Sequence, residues 1–450
     1  MKATSYFPHL LILVCFMVFN SCSNGDDMEG STASDEISGN ETEEDIEIYF
    51  TLNVGEDYFF GGTPNWIVIH SPSGEVTDYG QIENGASYIF EKPSSEISNA
   101  FNITFIATSE SNGNRSNMIS TITLVGRGDV YNLTRSSQQN TGNPEGELVG
   151  NFDLNVQGLI SPVSIQISNR GGPIGGGATL QTINGLTDYS ANSLSLYSEN
   201  RYLFSVYDNF GRGSYRFLED ITDGSDITFN RTLLTPFPSI VPVAIPENGE
   251  FFAQVLNFEE NQNPGPGEGF ISCLVFPFDS ENFISNTFDL GYLPGFANYY
   301  TVFSFENEDF YYYFKKVGEK PIAITVPQGN FDTTVDVLDE SLNQAFRYES
   351  PLDALSTRKS ALWSTTSGTF GEDYVRTTWS ILTGRNPFPI TSDVPDEVLQ
   401  SIPTLDIENL EYESMQFYIS DVSYYNYLNA VFKENDRSFQ DNLEYIRVDK

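Results

Sequence analysis

What most constrains this chain is a two-residue alternation of apolar and polar side chains, carried in short runs that Gly, Pro and Asn interrupt. In "FNITFIA" (101–107), Phe101, Ile103 and Phe105 fall on one face and Asn102 and Thr104 on the other. That is the pattern of a half-buried strand. "YLFSVYDNFGRGSYRFL" (202–218) reads as strand, Asn-Phe-Gly-Arg-Gly turn and strand, a hairpin. Long helical periods are scarce, and 35 Phe and 25 Tyr supply the large side chains that strands favour. The expected fold class is mainly β, in the sandwich or barrel group.

The runs also repeat. "WIVIHSPSG" (66–74) and "VSIQISNRG" (163–171) are both strand-then-turn and lie 97 residues apart. At that same offset Arg115 matches Arg212 in two hairpin turns, and Asp129 of "GDVYNL" matches Asp226 of "SDITFN". A looser third copy is "TVFSFENEDFYYYFKKVGEKPIAITV" (301–326). The spacing suits tandem immunoglobulin-like β-sandwich modules of about 100 residues. Modules are expected at 47–140, 145–240 and 247–337, with equivalent hairpins at 103–122, 202–217 and 301–314. The polar stretch 136–147 reads as the first linker, and "TPFPSIVPVAIPENG" (235–249), with four prolines, as a stiff extended connector. Residues 338–450 form a C-terminal β-rich region with one short helix at "PDEVLQSI" (395–402), where Pro opens the first turn.

The first residues have a different logic. Leu10 to Phe19 is an unbroken apolar run of ten, too short to span a bilayer, with Lys2 ahead of it. It suits the apolar core of a signal peptide over 1–21. Asn20, Ser21 and Cys22 follow, then "SNGDD"; from Ser23 to Glu47 there are ten Asp or Glu and no Lys or Arg. Such a segment cannot bury a core, so 22–46 is expected to be a disordered tether. "FNSC" resembles the lipobox of bacterial lipoproteins, although Phe19 stands where that pattern prefers Leu. With the acidic stretch after the cysteine, the leader resembles those of Bacteroidota surface lipoproteins. That resemblance implies lipid attachment at Cys22, an anchor in the outer membrane and exposure to the cell exterior. It covers residues 1 to about 47 only.

Charge and scarce residue types exclude several chemistries. The chain carries 62 Asp and Glu against 22 Lys and Arg, a formal net charge of −40. Phosphate backbones would be repelled, so no nucleic acid partner is expected. Of three cysteines, Cys15 leaves with the signal and Cys22 takes the lipid; Cys273, in "GFISCLVFPF", reads as a buried inert thiol. Of two histidines only His70 lies in the body, at the end of "WIVIH", and reads as a satisfied structural group. No nucleophile-elbow motif accompanies it, and zinc of the His or Cys type lacks ligands. "EDITDGSD" (219–226) clusters Glu219, Asp220, Asp223 and Asp226 but lacks the order of a calcium loop and reads as a solvated turn. "GGPIGGG" (171–177) has neither the Lys nor the helix of a phosphate loop. No cofactor or metal is expected.

Aromatic side chains are the remaining lead. In "DFYYYFKK" (309–316), Tyr311 and Tyr313 share one face, and Phe310, Tyr312 and Phe314 the other. One face belongs to the core; the other is a candidate strip for stacking on sugars. Tyr311 and Tyr313, or else Tyr312, are expected to be partly exposed beside carboxylates such as Glu306 or Asp309. "SYYNYL" (423–428) offers a second such strip. The reading that results is a lipid-anchored surface protein acting as a non-catalytic binding or assembly component, with a glycan or an extracellular or envelope protein as ligand. A carboxylate-based surface glycoside hydrolase and a purely structural accessory of an outer-membrane complex stay open as alternatives.

Overall fold

The computed structural model describes residues 45–450 except 60–64, 135–145, 261, 263, 329–332, 343–345, 391–392 and 435–440. The expected signal peptide, Cys22, all but the end of the acidic tether and most of the linker at 136–147 therefore lie outside the described residues. The protein is mainly β, with 58% of the described residues in strands and 8% in helices.

The first unit comprises β1 (Ile46–Val54), β2 (Asn65–His70), β3 (Val76–Ile82), β4 (Ser87–Pro93), β5 (Ala100–Ser111), β6 (Asn114–Gly126) and β7 (Asp129–Leu133). They form two sheets, β4-β1-β7 and β3-β2-β5-β6, in which only β1 and β7 run parallel. Phe50, Leu52, Ile67, Ile69, Ile103 and Tyr131 are buried between the sheets. Every residue of β2 is buried. Ile67 and Ile69 face this core, while Trp66 and Val68 face a larger one on the other side. A strand covered on both faces reads as a continuous apolar run, which is why "WIVIH" shows so little polar alternation.

The second unit holds β8 (Leu148–Ile160), β9 (Pro162–Asn169), β10 (Gly172–Pro173), β11 (Gly177–Ile183), β12 (Leu186–Tyr197), β13 (Arg201–Asp208), β14 (Gly213–Glu219), β15 (Ser225–Asn230) and β16 (Thr235–Pro236). Its sheets are β11-β12-β8-β15 and β10-β9-β13-β14-β16, again with the first and last long strands, β8 and β15, parallel. The third unit has β17 (Ser239–Ala244), β18 (Glu250–Phe258), β19 (Phe270–Asp279), β20 (Thr287–Tyr292), β21 (Asn298–Glu306) and β22 (Tyr311–Gly318). The C-terminal region adds β23 (Asp336–Asp339), β24 (Arg347–Glu349), β25 (Arg358–Ser367), β26 (Val375–Thr383), α1 (Asp396–Ser401), β27 (Glu411–Ile419), α2 (Tyr424–Leu428) and β28 (Asn442–Asp449).

One strand order recurs four times: β3-β2-β5-β6, β10-β9-β13-β14, β19-β18-β21-β22 and β26-β25-β27-β28. The three hairpins read from the sequence are β5–β6, β13–β14 and β21–β22, at the same place in that order. Arg115 and Arg212 play matching parts in the first two, pairing with Glu110 at 2.6 Å and Asp208 at 2.8 Å across their turns.

Three of the four sheets are not separate. They join edge to edge in one 12-stranded sheet, β19-β18-β21-β22-β28-β27-β25-β26-β6-β5-β2-β3. The C-terminal unit sits in the middle, pairing antiparallel with the third unit through β28–β22 and parallel with the first through β26–β6. The second unit joins the third without a strand ladder, by isolated backbone bonds such as Gly269 N–H to the Arg170 carbonyl at 2.7 Å and by side chains. Ser168 Oγ accepts the Ile271 N–H at 2.8 Å, Ser205 donates to the Ile271 carbonyl at 2.9 Å, and Ser164 donates to the Leu274 carbonyl. These hydroxyls occupy backbone groups at the free edge of β19 and so cap it.

Three sequence expectations are corrected. The proline-rich 235–249 is extended, yet it is no mere connector: Ser239–Ala244 is β17 and pairs with β20, so the third unit starts before residue 247. Pro242 is tolerated because β17 has a neighbour on one side only. "SYYNYL" is no strand-like strip: Ser423 caps the short helix α2 by accepting the Asn426 N–H at 3.2 Å. Among the described residues the C-terminal region therefore holds two short α-helices, α1 and α2, where one was expected, besides a 3-10 turn at Pro351–Ala354 and a π turn at Asn429–Glu434. Residues 424–432 form an arm that closes the first unit's core with Tyr424, Leu428, Val431 and Phe432. Phe432 stacks on Tyr131 with centroids 4.4 Å apart, and the Tyr424 hydroxyl donates to the Thr123 carbonyl at 2.9 Å.

Candidate functional site

The tyrosine strand is β22, an inner strand of the long sheet. Alternation sends Tyr312 into the main core, fully buried, and leaves Tyr311 and Tyr313 partly exposed on the opposite face. Tyr312 is satisfied there: its hydroxyl donates to Glu444 Oε1 at 2.9 Å. Burial raises the Glu444 carboxyl above its usual range, against the lowering effect of that hydrogen bond. Tyr312 is thus a core residue, and the candidate strip is Tyr311 and Tyr313.

The register of the neighbouring strands extends that strip. Tyr313 lies directly opposite Tyr445 on β28, Tyr445 opposite Tyr418 on β27, and Tyr418 opposite Arg358 on β25. Directly paired side chains are close enough to interact, and here they do. Ring centroids are 5.2 Å apart for Tyr313 and Tyr445 and 5.7 Å for Tyr445 and Tyr418. The Arg358 guanidinium lies 4.4 Å from the Tyr418 centroid and 4.2 Å from that of Tyr427, which the arm contributes. Tyr311 adds a ring 5.9 Å from Tyr445. The result is a row of three partly exposed tyrosines on one sheet face, ending in an arginine. Beyond Tyr313 the face continues with Tyr300 and Val302 of β21, and the Lys315 ammonium lies 5.5 Å from the Tyr300 centroid.

Of the carboxylates named with this strip, Glu306 is at the site. It lies 3.4 Å from Arg447, which also contacts Asp449 at 3.0 Å and sits 5.0 Å from the Tyr311 centroid. Asp309 is in the turn, its N–H held by Asn307 Oδ1 at 3.0 Å. Glu306 and Asp449 share one guanidinium, and Glu444 belongs to the other face with Tyr312. This arrangement presents aromatic surface beside an arginine held by two carboxylates.

The remaining singled-out residues serve the fold. His70 is buried, its Nδ1 3.3 Å from the Gly74 carbonyl and its Nε2 3.1 Å from Thr104 Oγ1. Cys273 is buried with Sγ 3.9 Å from the Ala253 carbonyl, and burial pushes its thiol well up. In the acidic turn, Glu219 pairs with Arg201 at 3.1 Å, Asp223 accepts the Asn151 N–H at 2.9 Å and Asp226 accepts from Asn155 at 3.0 Å. Among the described residues, no group of three or more His, Cys, Asp or Glu could hold a metal ion.

Arg358, Tyr418 and Tyr445 were not singled out from sequence; Tyr427 belongs to the second strip read from "SYYNYL". Alternation in "MQFYI" (415–419) and "LEYIRV" (443–448) would place Tyr418 and Tyr445 on strand faces, but nothing local reveals that those strands neighbour β22. Comparison with protein-family models, curated proteins and solved structures returns no match.

Proposed function

We propose that this protein is a lipid-anchored cell-surface binding component, held at Cys22 in the outer membrane, which engages extracellular glycan on its tyrosine face. The observation that carries the reading is the row Tyr313–Tyr445–Tyr418, three rings in register across three strands and partly open. Flat aromatic faces with polar tips suit sugar rings, which present apolar C–H faces and hydroxyl edges. Binding is favoured over glycoside hydrolysis because two carboxylates beside Tyr311, Glu306 and Asp449, are both engaged by Arg447. The recurring strand order supports tandem immunoglobulin-like modules as the frame, with function residing in the site grafted on it.

A panel of oligosaccharides titrated into the full chain tests the ligand. Tyr313→Ala and Tyr445→Ala are each expected to weaken binding by about 1 kcal/mol, roughly fivefold in Kd. Unchanged affinity in both variants would remove the tyrosine face from the account. Cys22→Ala tests the anchor in the same preparation: the variant should leave the membrane fraction, and retention equal to wild type would contradict lipid attachment there.

A further inference from the structure

Arg358 and Lys359 are the two cationic side chains buried among the described residues, 3% and 2% exposed. They are adjacent on β25, so their side chains leave by opposite faces of the sheet. Lys359 is neutralised, with Asp353 Oδ1 2.9 Å from its Nζ. Arg358 is not. No hydrogen bond or ion pair from a described residue reaches its guanidinium, and Nε is buried with no acceptor. Its contacts are the rings of Tyr418 and Tyr427. Rings satisfy the flat faces of a guanidinium; they leave its in-plane N–H donors unfilled. No carboxylate among the described residues pairs with it, although a buried unpaired charge is strongly unfavourable.

We propose that Arg358 is a seat for an oxyanion borne by the ligand, a uronate carboxylate or a sulfate ester, so that the glycan is an anionic polysaccharide. This rests on the glycan reading and names the ligand's class. The planar fork matches two oxygens of a carboxylate or sulfate with parallel N–H···O bonds, which an ammonium cannot reproduce. The register supplies the rest: a ring whose charged group reaches Arg358 has its neighbours along Tyr418, Tyr445 and Tyr313. The net charge of −40 opposes a polyanionic glycan as it does a phosphate backbone. The seat counters that locally, because Arg358 is within bonding reach while exposed charges beyond about 8 Å are largely screened at physiological salt. The acids of this face are matched locally: Glu306 and Asp449 lie on Arg447, and Asp441 acts on Lys315.

The test is calorimetric titration of the full chain with trigalacturonate, its fully methyl-esterified form and a sulfated galactose trisaccharide. Wild type should bind an anionic trimer at least about tenfold more tightly than the ester, the scale of a lost charge-assisted hydrogen bond. Preference for the uronate or for the sulfate identifies which oxyanion is used. Arg358→Gln should erase the preference, whereas Tyr313→Ala should weaken acid and ester alike. Equal affinities for acid and ester in wild type, or a preference surviving in Arg358→Gln, would overturn the oxyanion seat and leave glycan binding intact. Failure of all three sugars to bind would overturn the oxyanion seat, and the oligosaccharide panel decides glycan binding separately. Should Arg358→Gln not fold, Arg358→Lys decides: it keeps the charge without the fork, and an undiminished preference counts against the proposal.

Discussion

At the scale of one residue, His70 shows how a strand buried on both faces accommodates a polar ring. Its contact with Thr104 continues through Thr121 Oγ1 at 2.8 Å to the Trp379 indole N–H, which donates to Thr121 at 2.9 Å. The chain of contacts ties the first unit to the C-terminal one. Burial lowers the His70 pKa below 6.5, while the Gly74 carbonyl and then Asp393 act in the opposite direction. The folded state therefore binds fewer protons than the unfolded chain just below pH 6.5. Stability should fall as pH drops from about 6.5 toward the lowered folded value, and be unaffected by this group above it. Urea midpoints measured from about pH 7.5 to about 5.5 check this: wild type should lose stability faster than His70→Gln, and parallel slopes would exclude the mechanism. That His70 is structural could be read from its place on an apolar strand. Its partners could not, because Thr121 and Trp379 lie on strands whose adjacency no local pattern encodes.

At the scale of elements, alternation and turn residues made the hairpins legible, since each is closed within about 25 residues by its own turn chemistry. The arm over 424–432 was not legible. Its tyrosines alternate well enough to resemble a strand, and only the Ser423 cap and the docking of Tyr424 and Phe432 on the first unit make it helical. The same limit applied to the proline-rich stretch, whose composition is right for a linker and whose role as β17 depends on β20 being near. Phe432 is 2% exposed and stacked on Tyr131. Phe432→Ala should cost about 3–5 kcal/mol, the range for truncating a buried Phe. Guanidinium unfolding would show it as a lowered midpoint, and a change below about 1 kcal/mol would mean that the arm is not a lid on that core.

At the scale of the whole molecule, sequence offsets showed repetition but not union. Joining sheets at their edges uses backbone groups, which every residue type supplies alike, so the seams β22–β28 and β26–β6 leave no trace in side-chain pattern. Two free edges would open if the C-terminal unit were absent. A chain truncated at residue 337 is accordingly expected to associate through β22 and β6, giving oligomers or aggregate by size-exclusion chromatography where the full chain elutes as a smaller species. A well-behaved monomer would show that the seams are dispensable. The parallel seam also orders events in time. Asn117 and Thr377, partners across it, are 260 residues apart in the chain. A polypeptide made from its N-terminus exposes β6, and the first unit's unlidded core, while the two following units are still being produced. Residues 338–450 are the closing piece, so until they are made β6 stays open to pairing with its counterpart on another copy.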